Sequence, residues 1–115
     1  MTESSYSGGC QCRAVRYEVM ATLRGVVNCH CDMCRRFHGN FGAYTKITDA
    51  DLSFVEDRGL TWYESSNTAR RGFCRECGAS LFWQPVGFAT TSIAAGSLDH
   101  ATGLQTIGHI YTAEK

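Results

Sequence analysis

The sequence predicts one mainly β domain, in which short antiparallel strands surround a four-cysteine zinc site and helix is scarce. Three observations support this class. Apolar and polar side chains alternate in most readable segments, as they do in half-buried strands. The chain contains 12 glycines, which is typical of frequent tight turns, and helical periodicity is nearly absent. A length of 115 residues is that of a single domain, covering 1–115.

The first half of the chain shows the alternation most clearly in segment 14–19. Val15, Tyr17 and Val19 share one face of the predicted strand, and charged residues occupy the other face. Further strands in this half are predicted at 41–47, 52–54 and 60–63. One short helix is expected at 32–38, because two apolar side chains there are four residues apart.

Three more strands are predicted in the second half, at 79–84, 89–95 and 106–112. The first two are separated by a break that contains Pro85 and Gly87. Four large aromatic residues in these strands are expected in the core, with the wall of a small pocket as the alternative. They are Trp62, Tyr63, Phe82 and Trp83.

Charge and hydropathy exclude some partners. The formal net charge is 0, so the chain lacks the broad basic field that holds a phosphate backbone, and nucleic acid is not expected as a partner. No segment approaches the roughly 20 apolar residues of a membrane span. The first nine residues do not resemble a secretory signal, so we expect a cytoplasmic protein with reduced thiols. The sequence carries no prediction of oligomeric state.

The seven cysteines fall into three clusters, Cys10-x-Cys12, Cys29-x-Cys31-x-x-Cys34 and Cys74-x-x-Cys77. Short cysteine pairs from distant parts of a chain are the usual way to bring four thiolates within about 2.3 Å of one zinc ion. Four thiolates close a structural zinc site, whereas three leave the open position that catalytic zinc needs. Seven cysteines divide into one set of each kind.

The four-cysteine set combines the first and last clusters. Cys74 and Cys77 have the spacing of a zinc knuckle, followed by Gly78, which relieves backbone crowding. Cys10 and Cys12 are two residues apart on a predicted strand edge, so both side chains face the same way. We expect these four cysteines to hold a structural zinc. The alternative is that they are free cysteines packed as small hydrophobic side chains.

The middle cluster places three cysteines within six residues, at a predicted junction between strand and helix. Cys31 and Cys34 then lie near a helix N-terminus, whose partial positive charge favours thiolates. Three soft ligands leave the fourth zinc position for water or a substrate thiol. Two alternatives stay open, a second structural site closed by another side chain and a group of reactive thiols without metal.

Four segments occur in the order typical of one protein family. They are Gly8-Gly9-Cys10-Gln11-Cys12, Cys29-His30-Cys31-Asp32-Met33-Cys34-Arg35-Arg36, Phe73-Cys74-Arg75-Glu76-Cys77-Gly78 with Leu81 and Trp83, and Gly96-Ser97-Leu98-Asp99. Together they resemble the glutathione-dependent formaldehyde-activating enzyme family, which also contains the centromere protein V domain. The resemblance covers nearly the whole chain.

The resemblance implies a fold of the Mss4-like, or β-tent, type. It implies a structural zinc on Cys10, Cys12, Cys74 and Cys77 and a second, labile catalytic zinc on Cys29, Cys31 and Cys34. The implied activity is that of a carbon–sulfur lyase, which joins glutathione and formaldehyde to S-hydroxymethylglutathione or reverses that step. The implied partners are therefore a small-molecule thiol such as glutathione and an aldehyde.

Other side chains near the middle cluster are candidates for substrate contacts. Arg35 and Arg36 can receive a glutathione carboxylate through bidentate hydrogen bonds, or they form a solvated face. His30 and His38 are candidates for a proton carrier or fourth ligand, with packing or solvent exposure as the alternative.

Two other functions compete with the lyase. One is a non-catalytic zinc-binding interaction module. The other is a thiol-based reductase of the methionine sulfoxide reductase B type, whose zinc site uses two Cys-x-x-Cys pairs, whereas one pair here is Cys10-x-Cys12.

Overall fold

Two sheets form the protein in the computed structural model, which describes residues 5–100 and 102–115. The mainly β fold predicted from the sequence is confirmed, whereas the Mss4-like name for it stays a prediction. The strands are β1 (Ser5–Gly9), β2 (Arg16–Met20), β3 (Val26–Cys29), β4 (Gly42–Thr48), β5 (Leu52–Glu56), β6 (Leu60–Tyr63), β7 (Ala69–Cys74), β8 (Ser80–Pro85), β9 (Thr90–Ala94) and β10 (Thr106–Ile110). The helix α1 covers Asp32–His38, and short 3-10 turns lie at Asp49–Asp51, Ala95–Ser97 and Thr112–Glu114.

The smaller sheet has the strand order β1-β2-β5, and the larger has the order β10-β3-β4-β9-β8-β7-β6. Neighbouring strands are antiparallel except β10, which runs parallel to β3. This parallel pair departs from the antiparallel prediction. It arises because the chain between β9 and β10 crosses to the far edge of the sheet instead of turning back in a hairpin.

The predicted elements agree closely with the observed ones. The helix has the predicted bounds, and every predicted strand overlaps an observed one to within two residues at each end. Pro85, expected in the break after its strand, is instead the last residue of β8 and lies opposite Ala69. The turn is made further on, where Gly87 has a φ of 85°.

Three strands had no predicted range, β1, β3 and β7, and of these β3 was implied only by the junction of strand and helix predicted at the middle cysteine cluster. The sequence of β1 is Ser-Tyr-Ser-Gly-Gly, which contains few residues that favour strands. In β7, two arginines follow each other and hide the alternation, although Arg70 is exposed and Arg71 is only 2% exposed. Burial of an arginine is unusual enough that the sequence alone does not indicate which face is inside.

The core contains side chains from both sheets and lies between them. The predicted row Val15, Tyr17 and Val19 is fully buried, together with Phe82 of β8. The rings of Tyr17 and Phe82 meet edge to face with centroids 5.4 Å apart. Such an aromatic side chain contributes on the order of 2 kcal/mol to folding through burial of its apolar surface.

The other aromatic residues expected in the core differ from one another. Trp62 packs against the core and is partly buried, whereas Tyr63, the next residue on the edge strand β6, faces the opposite side and is 56% exposed. Trp83 is half-buried and lines a cavity, as the alternative interpretation proposed.

Within the described parts of the chain, no helix is long and apolar enough to cross a lipid bilayer.

Candidate metal centres

The first candidate centre joins the N-terminal part of the chain to the β7–β8 hairpin. Cys10 and Cys12 do not lie on a strand edge, as predicted, but in the turn that follows β1. This turn closes through a hydrogen bond from Cys10 N–H to Val15 O, 3.1 Å, and passes through Arg13 with a positive φ of 71°. Cys74 ends β7, and Cys77 lies in the turn before β8.

The four sulfur atoms fit one tetrahedral ion. All four lie within 4.8 Å of one another, and the Sγ atom of Cys12 is 3.7 Å from those of Cys10 and Cys74. Zinc–sulfur bonds of about 2.3 Å in a tetrahedron require sulfur atoms about 3.8 Å apart. Four thiolates are also the soft donor set that zinc accepts in structural sites. These four residues are therefore suited to hold a metal ion.

Backbone N–H groups stabilise negative charge on these sulfur atoms. Val15 N–H donates to Cys10 Sγ at 3.2 Å, and Glu76 N–H donates to Cys74 Sγ at 3.3 Å. Burial raises the pKa of Cys77, but the N–H groups of Ala79 and Cys12 outweigh it and lower that pKa to about 6. The lowered pKa of Cys77 favours loss of its proton to a metal.

Gly78 shapes the knuckle after Cys77. Its φ is +79°, in the left-handed region that an L side chain rarely adopts. Its N–H donates to Cys74 O at 2.7 Å, which closes the turn. The glycine predicted to relieve crowding there therefore does so through its backbone conformation.

The second candidate centre contains Cys29, Cys31 and Cys34, whose sulfur atoms lie within 4.8 Å of one another. Cys29 ends β3, Cys31 is the N-cap of α1, and Cys34 lies in the first turn of that helix. Cys34 N–H donates to Cys31 Sγ at 3.3 Å, so the thiol replaces the usual oxygen cap. Three sulfur donors fit a zinc site with one open position.

A buried guanidinium group lies beside this centre. Arg71 of β7 donates from its two terminal nitrogens to Cys34 Sγ, at 3.5 and 3.6 Å, and from one of them to Tyr44 Oη at 3.4 Å. Burial raises the pKa of Cys34, and the charge of Arg71 opposes this rise. A divalent ion with three thiolates has a net charge of −1, which Arg71 neutralises.

Tyr44 connects this guanidinium group to a histidine. The Oη atom of Tyr44 is hydrogen-bonded to Nε2 of His38, which lies at the end of α1. Burial, with a contribution from the charge of Arg71, lowers the pKa of His38 to about 4, so its ring is neutral near pH 7. Burial also raises the pKa of Tyr44, which keeps its phenol protonated.

His30 is only 7% exposed and lies between aromatic rings. Its Nε2 atom is 2.9 Å from Nδ1 of His109 on β10, and its ring centroid is 5.1 Å from that of Phe41. Burial, together with His109, lowers the pKa of His30. The ring is not part of the three-sulfur group, so the packing alternative matches its surroundings; a role in substrate binding stays a prediction.

Arg35 and Arg36 are engaged on the helix surface. Arg35 binds Asp32 at 2.6 Å and Arg36 binds it at 3.1 Å. Neither arginine is among the described residues that line the cavity at this centre. The predicted contact with a substrate carboxylate therefore stays untested, and these two side chains already share a carboxylate.

A cavity of about 540 Å³ opens on the three cysteines. Its walls come from one face of the larger sheet, from α1 and from the segment after β10. The lining residues are Arg24, Val27, Cys29, Cys31, Asp32, Met33, Cys34, Tyr44, Lys46, Ser66, Thr68, Ala69, Arg71, Trp83, Ser92, Ile110, Tyr111 and Glu114. This is the size of a small-molecule site.

The polar residues of this cavity that sequence reasoning missed include Arg24, Tyr44, Lys46 and Arg71. Tyr44, Lys46 and Arg71 lie on strands whose pairing brings them to one face, and Arg24 lies just before β3. No short motif marks these residues. The available signal was the alternation along β4, which puts Tyr44 and Lys46 on the face opposite to Thr45. Which of the two faces lines the cavity depends on the partner strands, so the signal is of use only when the strand pairing is known.

Comparisons with known proteins agree with this arrangement. Residues 5–114 match the family model described as glutathione-dependent formaldehyde-activating enzyme. A Schizosaccharomyces pombe protein named an uncharacterized lyase is 32% identical over 79 residues, which are 68% of this chain and 56% of that protein. The chain thus matches little more than half the length of this relative.

A crystal structure of a Rhodobacter sphaeroides protein has a similar fold, with a TM-score of 0.74 and 26% sequence identity. The similarity covers 90% of this chain and 98% of the other. The family match covers nearly the whole chain and includes both cysteine centres. The chain therefore belongs to the glutathione-dependent formaldehyde-activating enzyme family.

Proposed function

We propose that this protein is a zinc-dependent carbon–sulfur lyase that forms and cleaves the adduct of a small thiol, such as glutathione, with an aldehyde such as formaldehyde. The observation that carries the proposal is the cavity of about 540 Å³ that opens on Cys29, Cys31 and Cys34. Membership of the family and a relative named as a lyase support the general class of reaction.

The two cysteine centres have different roles in this proposal. Cys10, Cys12, Cys74 and Cys77 hold a structural zinc that ties the turn after β1 to the β7–β8 hairpin. Cys29, Cys31 and Cys34 hold the catalytic zinc beside the cavity. When bound there, zinc supplies a Lewis acid that lowers the pKa of a substrate thiol or polarises the aldehyde oxygen.

The reaction forms one carbon–sulfur bond and moves one proton. The thiol sulfur attacks the carbonyl carbon, and the proton lost by the thiol ends on the aldehyde oxygen, which becomes a hydroxyl group. In the reverse direction the hydroxyl proton leaves, the carbonyl group re-forms and the carbon–sulfur bond breaks. The protein must therefore hold a proton near the aldehyde oxygen in both directions.

Tyr44 and His38 are suited to that task. Tyr44 lines the cavity and donates or accepts at Oη, and the neutral ring of His38 is hydrogen-bonded to the same atom. When Tyr44 gives its proton to the aldehyde oxygen it becomes a phenolate, whose charge the guanidinium of Arg71 stabilises, and the proton lost by the substrate thiol then restores the phenol. Arg71, bonded to Tyr44 Oη, fixes the position of the phenol.

The test uses ¹³C-labelled formaldehyde with glutathione, observed by NMR exchange between free aldehyde and adduct. We expect the protein to accelerate the exchange and Cys31→Ser to abolish the acceleration. Native mass spectrometry of the same samples should show two zinc ions in the unchanged protein and one in the variant. Circular dichroism should be alike in both, because the four-cysteine centre is intact.

Exchange at an unchanged rate in Cys31→Ser would refute the assignment of the three-cysteine centre. A single zinc ion that survives this change, with no acceleration of exchange, would favour the non-catalytic zinc module. Reduction of methionine sulfoxide by the purified protein would favour the reductase.

A further inference from the structure

We infer that Arg24 and Lys46 form an anion subsite at the end of the cavity away from the cysteines. This subsite selects thiols whose carboxylate is remote from the sulfur atom. The inference rests on the proposed function, because it defines the substrate of the same cavity.

Strand register places the two cations at one end of the cavity. On β3 and β4, Cys29 lies opposite Gly42 and Val27 lies opposite Tyr44. Lys46 is four residues beyond Gly42 on β4, so its backbone is about 13 Å from that of Gly42 at the usual rise per residue. Arg24 lies at the same end, because its carbonyl oxygen accepts a hydrogen bond of 2.6 Å from Thr45 Oγ1.

The same face of the sheet continues from Lys46 across three strands. Lys46 lies opposite Ser92, which lies opposite Trp83, which in turn lies opposite Arg71. All four side chains line the cavity. The cavity floor therefore has an indole group between the guanidinium that contacts Cys34 and the ammonium group at the far end.

The two cations differ from the other arginines near the cavity in their partners. The guanidinium of Arg24 donates to two neutral carbonyl oxygens, that of Gly25 at 3.2 Å and that of Tyr44 at 3.0 Å. Within residues 5–100 and 102–115, no carboxylate forms an ion pair with Arg24 or Lys46. Their charges are thus available to a ligand.

The carboxylates of the cavity lie toward the helix. Asp32 is paired with two arginines of α1, and Glu114 accepts a hydrogen bond of 3.0 Å from the N–H group of Asp32. An anionic group of a ligand is therefore attracted to the Arg24 end and not to the helix side.

The separation sets the length of the ligand. The guanidinium of Arg24 donates to Tyr44 O, two residues nearer to Gly42 than Lys46 is, so the span from the cysteines to this cation is shorter than the backbone separation. In glutathione the sulfur is on the middle residue, and the carboxyl carbon of the γ-glutamyl group is eight bonds from it, which is roughly 9 Å when extended and suits that span. The carboxylate of free cysteine is only a few bonds from its sulfur, so a cysteine bound at the metal centre does not reach Arg24 or Lys46.

The test measures binding of S-methylglutathione, a thioether that forms no aldehyde adduct, by calorimetry. We expect Arg24→Met to weaken binding about tenfold, because a charge-assisted hydrogen bond is lost. Lys46→Met should weaken binding only about threefold, because Lys46 is exposed to solvent. Arg24→Lys should recover part of the loss. The control Arg58→Met removes an exposed cation in the turn before β6 and should leave binding unchanged.

Two further ligands sharpen the test. S-methylglutathione with both carboxylates esterified should bind the unchanged protein as weakly as the variants bind the parent ligand. S-methylcysteine should bind all variants within about twofold of one another, because its carboxylate lies too close to the sulfur.

Failure of the subsite and failure of the lyase have different signatures. The expected binding pattern without catalysed exchange would leave the subsite in place and refute the lyase. Two results would overturn the subsite even if the protein catalyses the exchange. One is S-methylglutathione binding that is unchanged in Arg24→Met and Lys46→Met. The other is binding that is lost in Arg36→Met, which would place the carboxylate at the helix. No binding of S-methylglutathione to the unchanged protein would also overturn it. Arg24→Lys and Lys46→Met keep the test available if Arg24→Met does not fold.

Discussion

Replacement of Arg71 by methionine separates metal affinity from folding stability. Methionine has an unbranched side chain that fills the buried space on β7 without a polar group. The change removes both contacts to Cys34 Sγ and the contact to Tyr44 Oη. It also removes the Nε atom, which is buried without a hydrogen-bond partner in the described structure.

The two N–H···S contacts are 3.5 and 3.6 Å long and involve a charged donor. A hydrogen bond to a charged group contributes about 1.5 to 3 kcal/mol, and sulfur is a weak acceptor, so we assign about 2 kcal/mol to the pair. That corresponds to about 30-fold weaker zinc binding at the three-cysteine centre, within the range for loss of a group that supports metal ligands.

Folding stability without metal at this centre should respond differently. A buried cation without a carboxylate partner is costly to desolvate, and its replacement by an apolar side chain is often neutral or stabilising. Arg71→Met should therefore leave the free energy of unfolding unchanged or raise it, in protein that retains only the structural metal. Zinc affinity that falls while the free energy of unfolding does not would show that the guanidinium group supports the metal centre and not the fold.

The assay is competition for zinc against a chromophoric chelator, with denaturant unfolding measured on the same samples. Arg70→Met is the matched control, because Arg70 is the neighbouring arginine on the exposed face and donates to Gln84 at 2.9 Å. It should leave zinc affinity at the three-cysteine centre unchanged. Equal zinc affinity in Arg71→Met and the unchanged protein, or equal losses in both variants, would refute the reasoning.

Two further predictions concern stability. Gly78→Ala should destabilise the zinc-loaded protein by about 1 kcal/mol in denaturant unfolding, because φ is +79° there. The control Gly96→Ala should lower the free energy of unfolding clearly less, because Gly96 has open space around it and no positive φ. Equal losses of stability in the two variants would contradict this explanation. Asp99→Asn should lose about 1 to 2 kcal/mol at pH 7, because Arg16 donates two hydrogen bonds to Asp99 at 2.5 and 2.8 Å. The hydrogen bonds from Arg16, and then from Ser7, hold the pKa of Asp99 well below its usual range, so this stability is present above about pH 4 and is lost as pH falls further. The gap between Asp99→Asn and the unchanged protein should therefore shrink below about pH 4, and a gap that grows there would contradict the assignment.

The cysteine spacing carried most of what the sequence could predict. A metal centre needs several soft donors at short spacing, and such clusters are visible without a fold, so Cys29, Cys31 and Cys34 could be grouped at once. The helix at 32–38 was predicted from a separate signal, two apolar side chains four residues apart. Alternation then placed most strands, because Val15, Tyr17 and Val19 are buried on one face.

The cavity could not be predicted in this way. Lys46 and Arg71 are 25 positions apart in sequence and reach the same face of the sheet through the pairing of four strands, which no local pattern encodes. Arg35 and Arg36 were candidates for substrate contacts because they follow the cysteines directly. In the helix they lie three and four residues after Asp32, and both pair with its carboxylate. The cations that line the cavity wall come from residues without any local motif.

Strand β7 carries Cys74 of the first metal centre and Arg71, which contacts Cys34 of the second. They are three positions apart, so an ion on Cys74 fixes the strand from which the guanidinium group projects. Metal uptake at the two centres is then expected to be cooperative and ordered, with the four-cysteine centre filled first. Under zinc limitation, molecules that hold a single ion would then carry it on the four-cysteine centre.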